Sequence, residues 1–327
     1  MILVVGGAGY IGSHTVKYLV KQGQEVVVFD NLSTGHRELI DEQVSFIKGD
    51  LANKNDLHNL FNLYPSIDTV VHFAAFAYVG ESVENPAKYY HNNVVNTILL
   101  LDVMLEHNVK NIVFSSTCAT YGNPMDLPIT EQHPQNPINP YGRTKFIVEK
   151  IMEDYSNAYG LKFAALRYFN AAGADEECVI GEWHEPESHL IPLVLDVALG
   201  KRDSILVFGN DFDTPDGTCI RDYIHVTDLA VAHSQAIDYI KQHNENLKLN
   251  LGNGLGYSVL EIIRIVGKVT GRQIQTFMAE RRPGDPAKLI GSGEKAKKLL
   301  GWQPQYNLQQ IVETAWKWHL KKFGGTV

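Results

Sequence analysis

No run of eighteen apolar residues occurs anywhere in this chain, so no segment is suited to crossing a bilayer as a helix. Cysteine is scarce. Cys118, Cys178 and Cys219 form an odd set without a CxxC pair, and nothing in their spacing suggests a disulfide framework. Basic residues are outnumbered, 29 against 37, and the net charge of −8 argues against a general binder of nucleic acid or of anionic membranes. An anionic small ligand would therefore need a local cluster of arginines. The opening "MILVVGGAGYIG" runs straight into strand-like sequence without the charged and cleavable segments of a secretion signal, so a cytoplasmic setting is expected. Low-complexity sequence and internal repeats are lacking too. The 13 histidines invite a metal, and "GEWHEPESHLIP" sets His184 and His189 around Glu185 and Glu187. Pro186 lies between them, however. No regular helix can fix the pair as in HExxH, and a polar loop with no metal is expected.

The 327 residues, 44% of them apolar, suffice for a sizeable core and two domains. Short apolar runs at Ile2–Val5, Val26–Phe29, Val44–Ile47, Thr69–Phe73, Asn111–Ser115 and Phe163–Tyr168 read as buried strands. Helical stretches lie between several of them, at Tyr10–Gln22, Asp56–Leu63, Pro86–His107 and Tyr141–Tyr159. Such alternation predicts an α/β, Rossmann-type doubly wound parallel sheet over residues 1–170. Beyond Asn170 the loops lengthen. Helical stretches persist at Ile191–Leu199, Val226–Ile240, Val259–Val269, Gly293–Leu300 and Leu308–Leu320. Residues 171–327 are expected to form a smaller α/β substrate-binding domain, with some segments crossing back to the first.

"ILVVGGAGYIGSHTVKYLV" reads as strand, glycine turn and helix. Gly7, Gly9 and Gly12 satisfy GxGxxG, and Gly6, Gly9 and Gly12 satisfy GxxGxxG. Glycine permits the tight turn and close backbone approach to a pyrophosphate, and the helix amino terminus offers free N–H groups to it. The next apolar run ends at Asp30, 23 residues after Gly7. A carboxylate there accepts hydrogen bonds from ribose hydroxyls and repels a 2′-phosphate, which favours NAD over NADP. Arg37, close by, is the residue that argues the other way.

In "NPINPYGRTKFIVEK" a phenol, Tyr141, precedes an ammonium, Lys145, by one helical turn. A nearby cation lowers a phenol's pKa, so Lys145 is expected to make Tyr141 useful in proton exchange. The preceding strand ends in Ser115, Ser116 and Thr117, any of which could meet the phenol at the carboxyl end of the sheet.

The ordered stretches "GGAGYIGS", "SSTCATYG", "YGRTK", "RYFN", "RDYIHVTDLA" and "RRPGDPA" resemble the extended short-chain dehydrogenase/reductase family, and within it the UDP-glucose 4-epimerases. The resemblance spans Ile2 to Trp302. It implies Tyr141 as catalytic base and acid, Lys145 on the nicotinamide ribose, and Thr117 as the catalytic hydroxyl, with Ser116 as the alternative one register away. It implies NAD contacts at Gly6, Gly9, Tyr10, Ile11, Gly12, Asp30, Asn31, Asp50, Leu51, Phe73, Ala74, Ala75, Asn92, Ser115 and Tyr168. It implies a UDP-sugar pocket with Asn170, Leu190, Phe208, Arg221, Tyr223, Arg282, Asp285 and Leu289. Arg221 and Arg282 suit the diphosphate; Leu190 and Phe208 read equally as core. The implied activity is interconversion of UDP-glucose and UDP-galactose through oxidation at C4, rotation of a 4-keto sugar and re-reduction, in a homodimer joined through residues 86–107 and 141–159.

Two departures from the family pattern carry consequences. Ala77 stands where relatives have Lys in the stretch written here "HFAAFAYVGES", which implies a looser grip on NAD. Leu289 stands where narrow-specificity relatives have Tyr, which implies room for UDP-N-acetylglucosamine. A nucleotide-sugar 4,6-dehydratase needs an Asp-Glu pair after the Thr, where this chain has Cys118 and Ala119. A decarboxylase of the same superfamily and a non-catalytic NAD-responsive regulator remain the other readings, the last disfavoured by the retained Tyr–Lys pair.

Overall fold

The computed structural model describes residues 1–282 and 285–324. Seven parallel strands form the central sheet: β1 (Ile2–Val5), β2 (Val26–Asp30), β3 (Ser45–Lys48), β4 (Thr69–His72), β5 (Asn111–Thr117), β6 (Lys162–Tyr168) and, from the second half, a strand at Leu247–Leu251. Their spatial order is β3-β2-β1-β4-β5-β6 followed by Leu247–Leu251, the doubly wound order with one strand added at the β6 edge. The central strands read as unbroken apolar runs because helices cover both faces. All of β1 and β2 is buried, whereas β3, at an edge, exposes Ser45 and Lys48. The expected Val44–Ile47 strand therefore sits one residue later.

The first face is covered by α1 (Tyr10–Lys21) and a later helix, Val226–His243, together with Trp302. The other is covered by α2 (Lys54–Leu63), a broken segment, and α6 (Pro140–Tyr159), with a short helix α3 (Val79–Glu84) packed outside against α6. The broken segment was expected as one helix over Pro86–His107. It consists of α4 (Pro86–Tyr89), a π-helical stretch Tyr90–Val95, and α5 (Asn96–Glu106). The helix α3 was not expected from sequence.

A second cluster of helices and short strands caps the carboxyl ends of the sheet. It contains the helices Leu190–Leu199, Val259–Thr270 and Leu308–Phe323, packed around Val194, Ile262 and Ile311. Short strands Asn170–Ala172 and Tyr223–His225 pair with each other, as do Ile220–Arg221 and Lys288–Leu289. Pro283 and Gly284 of the "RRPGDPA" motif lie outside the described residues, as do the last three residues of the 171–327 region.

Among the described residues, no helix is long and apolar enough to cross a membrane. The chain leaves β1 toward β2 and β3 on one side and returns to β4 on the other. This reversal opens a crevice at the carboxyl ends of β1 and β4, where doubly wound sheets bind nucleotides.

Candidate active site

The glycine turn enters that crevice. Gly6 has φ +76°, and a Cβ there would lie 2.5 Å from the Ala74 nitrogen. A Cβ on Gly12 would lie 2.3 Å from the Gly6 carbonyl oxygen. Packing within the protein thus accounts for both. Gly9 is different: its φ is −77°, and its nearest Cβ contact would be an ordinary 3.4 Å. Nothing inside the fold requires glycine there, which fits a backbone surface kept bare for a pyrophosphate. The α1 amino terminus has no side-chain cap and no acidic residue in its first turn, so its N–H groups and dipole face the crevice unopposed.

Asp30 ends β2 and is buried, accepting hydrogen bonds from the amides of Ala8 (2.9 Å) and Leu32 (2.8 Å). Burial raises its pKa and these two amides pull it back down. A carboxylate has about four acceptor positions, so two remain for a ribose diol. Arg37 turns away: its guanidinium donates to the Ile40 carbonyl (2.6 Å) and lies over the Phe46 ring. Asn31 donates to the Asp50 carboxylate (3.0 Å), which places both beside Asp30 at the sheet edge. Leu51 is buried in the core below, and Ile11 packs against the opposite core. Phe73 and Ala74 bind the Val5 carbonyl through their amides, bringing the segment after β4, with Ala75, against the glycine turn. The Tyr10 side chain points elsewhere, its hydroxyl donating to the Gly173 carbonyl (2.6 Å), so only its backbone faces the crevice.

The proline-rich loop delivers Tyr141. Asn139 caps α6 by accepting from the Gly142 amide (2.8 Å), and Pro140 occupies the first turn. A Cβ on Gly142 would fall 2.5 Å from the Ala119 carbonyl oxygen. Glycine therefore lets α6 press its first turn against the segment following β5. There the Tyr141 phenol faces the Thr117 hydroxyl, which itself accepts from the Ala119 amide (3.2 Å). The choice between neighbouring hydroxyls follows from geometry. Ser116 points to the other face and donates to Glu149 (2.5 Å). Ser115 pairs with the Tyr168 hydroxyl.

Lys145, one turn along α6, is buried. Its ammonium donates to the Ser115 carbonyl (2.8 Å) and lies 4.8 Å from the centre of the Phe114 ring. Tyr141 and Lys145 thus both reach the end of β5. The electrostatic expectation is corrected, however. Burial pushes the Tyr141 phenol up to about 12; the nearby Thr117 hydroxyl pulls it down, Cys118 adds to the rise, and Lys145 does not figure. Burial also draws Lys145 down to about 7 against an upward pull from Glu149. Desolvation outweighs the pairing at both residues.

The expected sugar-nucleotide residues fall into two groups. Asn170 and Tyr223 are register partners, as are Arg221 and Leu289. Arg221 also approaches the Asp285 carboxylate (3.4 Å), and Leu289 packs against Cys118 and Phe169, next to Thr117. Leu190 starts its helix and packs against the cluster that includes Tyr223. Phe208 and Arg282 form a separate stack, 3.9 Å from guanidinium carbon to ring centre.

Three buried polar residues were not singled out from sequence. Asn93 binds both backbone groups of Phe76 (2.9 Å each) and Thr144 of α6 (3.2 Å), tying the loop after β4 to the helix that carries Tyr141. Its neighbour Asn92, half-buried, donates to it (2.9 Å). Glu149 and Arg167 form a buried ion pair beneath Lys145. Glu149 lies one turn beyond Lys145, and a charge continuing that face was the available signal.

Glu182, His184, Glu187 and His189 converge despite Pro186.

A doubly wound sheet with a bare glycine turn at its switch point and a Tyr–Thr–Lys cluster at the end of β5, beside β4, defines a dinucleotide-dependent enzyme of the short-chain dehydrogenase/reductase class. Comparisons with known proteins narrow this. The family model for GDP-mannose 4,6 dehydratase matches residues 3–315. The UDP-glucose 4-epimerase of Halalkalibacterium halodurans is 54% identical over 319 residues, covering 97% of this chain and 95% of that protein. The crystal structure of UDP-glucose 4-epimerase from Brucella ovis in complex with NAD has 51% identity and a TM-score of 0.94, over 97% of each chain. The enzyme from Bifidobacterium longum, solved with NAD+ and UDP, has 39% identity and a TM-score of 0.94, over 99% of each. The chain belongs to the UDP-glucose 4-epimerase family, a group of isomerases built on that wider dehydratase-type fold.

Proposed function

We propose that this chain interconverts UDP-glucose and UDP-galactose with bound NAD, in the cytoplasm, as part of galactose metabolism. The observation that carries the reading is the placement of the Tyr141 phenol beside Thr117 at the end of β5, with Lys145 buried one turn away. Tyr141 exchanges the proton of the sugar 4-hydroxyl, and Thr117 orients phenol and sugar oxygen together. Lys145 holds the nicotinamide ribose. When bound, NAD supplies the reversible two-electron acceptor and a positive charge near the phenol. The pocket is formed by Asn170, Leu190, Phe208, Arg221, Tyr223, Arg282, Asp285 and Leu289, with the two arginines meeting the diphosphate. Residues 1–170 bind NAD and residues 171–327 the sugar nucleotide, with segments of the second part returning to the first, and two chains associate through residues 86–107 and 141–159.

A 4,6-dehydratase is disfavoured because Cys118 is a buried thiol pushed up to about 12, unable to act as the needed acid. The test is turnover of UDP-galactose by purified protein, followed by chromatography of the sugar nucleotides. Appearance of UDP-glucose is expected. Bound NAD without any conversion would make the chain a sensor and end the proposal. Leu289 leaves room for the N-acetylated substrate, so Leu289→Tyr should reduce turnover of UDP-N-acetylglucosamine more than that of UDP-galactose.

A further inference from the structure

Away from Tyr141, the loop leading to the helix Leu190–Leu199 gathers two imidazoles and two carboxylates. One ligand atom from each of Glu182, His184, Glu187 and His189 lies within 4.8 Å of all the others. The Nδ1 of His184 is 3.5 Å from Glu182 and 3.4 Å from Glu187. The Nδ1 of His189 is 2.5 Å from Glu182 and 3.7 Å from Glu187. Both rings thus present the same nitrogen to a shared pair of carboxylates.

His189 and Glu182 also hydrogen-bond directly, so a metal ion would take the place of the shared proton. The His184 Nδ1 is buried without a hydrogen-bond partner, aimed between the two acids. Ligand atoms on a tetrahedral zinc ion at ~2.0–2.1 Å stand roughly 3.4 Å apart, so small side-chain rotations would close the set. The surroundings hold the loop for this. The Glu182 carbonyl accepts from the Trp318 indole (3.0 Å). Glu187 Oε1 accepts from the Ser188 and His189 amides (2.7 and 2.8 Å), leaving Oε2 toward His184. The rings of Tyr10 and Tyr78 stand edge-on to His184, 6.1 and 6.4 Å between centres.

We propose that Glu182, His184, Glu187 and His189 bind one divalent transition-metal ion, with zinc the best match to two nitrogen and two oxygen donors. Four protein ligands leave no open position, so the ion is structural. It clamps the loop that enters the helix at Leu190 against Tyr10 and Tyr78, and it does not depend on the proposed reaction.

The test uses the full chain, stripped with chelator and titrated with Zn²⁺ by calorimetry, with elemental analysis after gel filtration. One equivalent per chain and a raised melting temperature are expected, and Co²⁺ should give the intense visible bands of a tetrahedral site. His184→Gln and Glu187→Gln should each weaken binding by at least about tenfold. A surface cluster competes for adventitious metal: His58 and His107, 3.1 Å apart, with Glu106 3.4 Å from His58. The double variant His58→Gln/His107→Gln should retain the full equivalent. Binding below stoichiometry, loss of the metal in the His58/His107 variant, or unchanged affinity in folded His184→Gln would overturn the proposal. Should His184→Gln not fold, the Co²⁺ spectrum of the natural chain decides: octahedral, weak bands count against the site.

Discussion

Tyr141 holds its proton more firmly than an ordinary phenol, because burial outweighs the opposing pull of the nearby Thr117 hydroxyl. Charge brought into the crevice by the dinucleotide is what must draw the proton off. Tyr141→Phe keeps the ring and the packing, so the expected loss is catalytic: turnover down by ~10²–10⁴-fold with NAD still present in the purified protein. Absorbance after denaturation would check the cofactor content. Lys145 gives a pH prediction. Its folded pKa, about 7, lies below the ordinary lysine value, so between those values the unfolded chain binds more protons and stability rises with pH. Lys145→Met should accordingly be more stable than the natural chain at pH ~7, and the gap should shrink toward pH ~10, as read by urea melts. Glu149→Ala would strand the Arg167 guanidinium in the core, at a cost of about 3–5 kcal/mol. Of these residues, Tyr141 and Lys145 drew notice in the sequence by their one-turn spacing after a proline-rich loop, and their roles came from the family resemblance. Their pKa values were not legible there, since desolvation depends on what packs around them.

At the level of elements, α6 depends on a single missing methyl. Gly142→Ala raises helix propensity yet sets a Cβ against the Ala119 carbonyl. The first turn must then retreat from β5. A fall in turnover of about 10²-fold is expected, with little change in helix content by circular dichroism. Retained turnover would show that the contact is not needed. The long helices and the buried strands were legible, because 3.6-residue periodicity and apolar runs persist over many residues. The π-helical stretch Tyr90–Val95 was not: its sequence continues the apolar pattern, and only the unwinding brings Asn93 to Phe76 and Thr144. The two- and three-residue strands around Arg221 and Leu289 escaped for the opposite reason, being too short to carry a period. The four-residue convergence at Glu182–His189 was missed because spacing rules assume a helix, and here a loop does the gathering.

Across the whole molecule, the two halves of the chain are interleaved. The strand Leu247–Leu251 completes the sheet beside β6, Val226–His243 lies beside α1, and Trp302 donates from its indole to the Asp228 carbonyl (2.8 Å) inside the first core. That strand's sequence, LKLNL, alternates apolar and polar residues as a strand does, but over only five residues within the helix-rich second half. The added strand shields the β6 edge, and that has a bearing on how the protein is made. A nascent chain leaving the ribosome cannot finish its amino-terminal half when that half has been translated; the half waits, with one strand unpaired and one helix face bare, until the message has been read past Leu251, about three-quarters of the way along. A truncated product of residues 1–170 should therefore be recovered from inclusion bodies, and pulse-labelled full-length chains should gain protease resistance only after release.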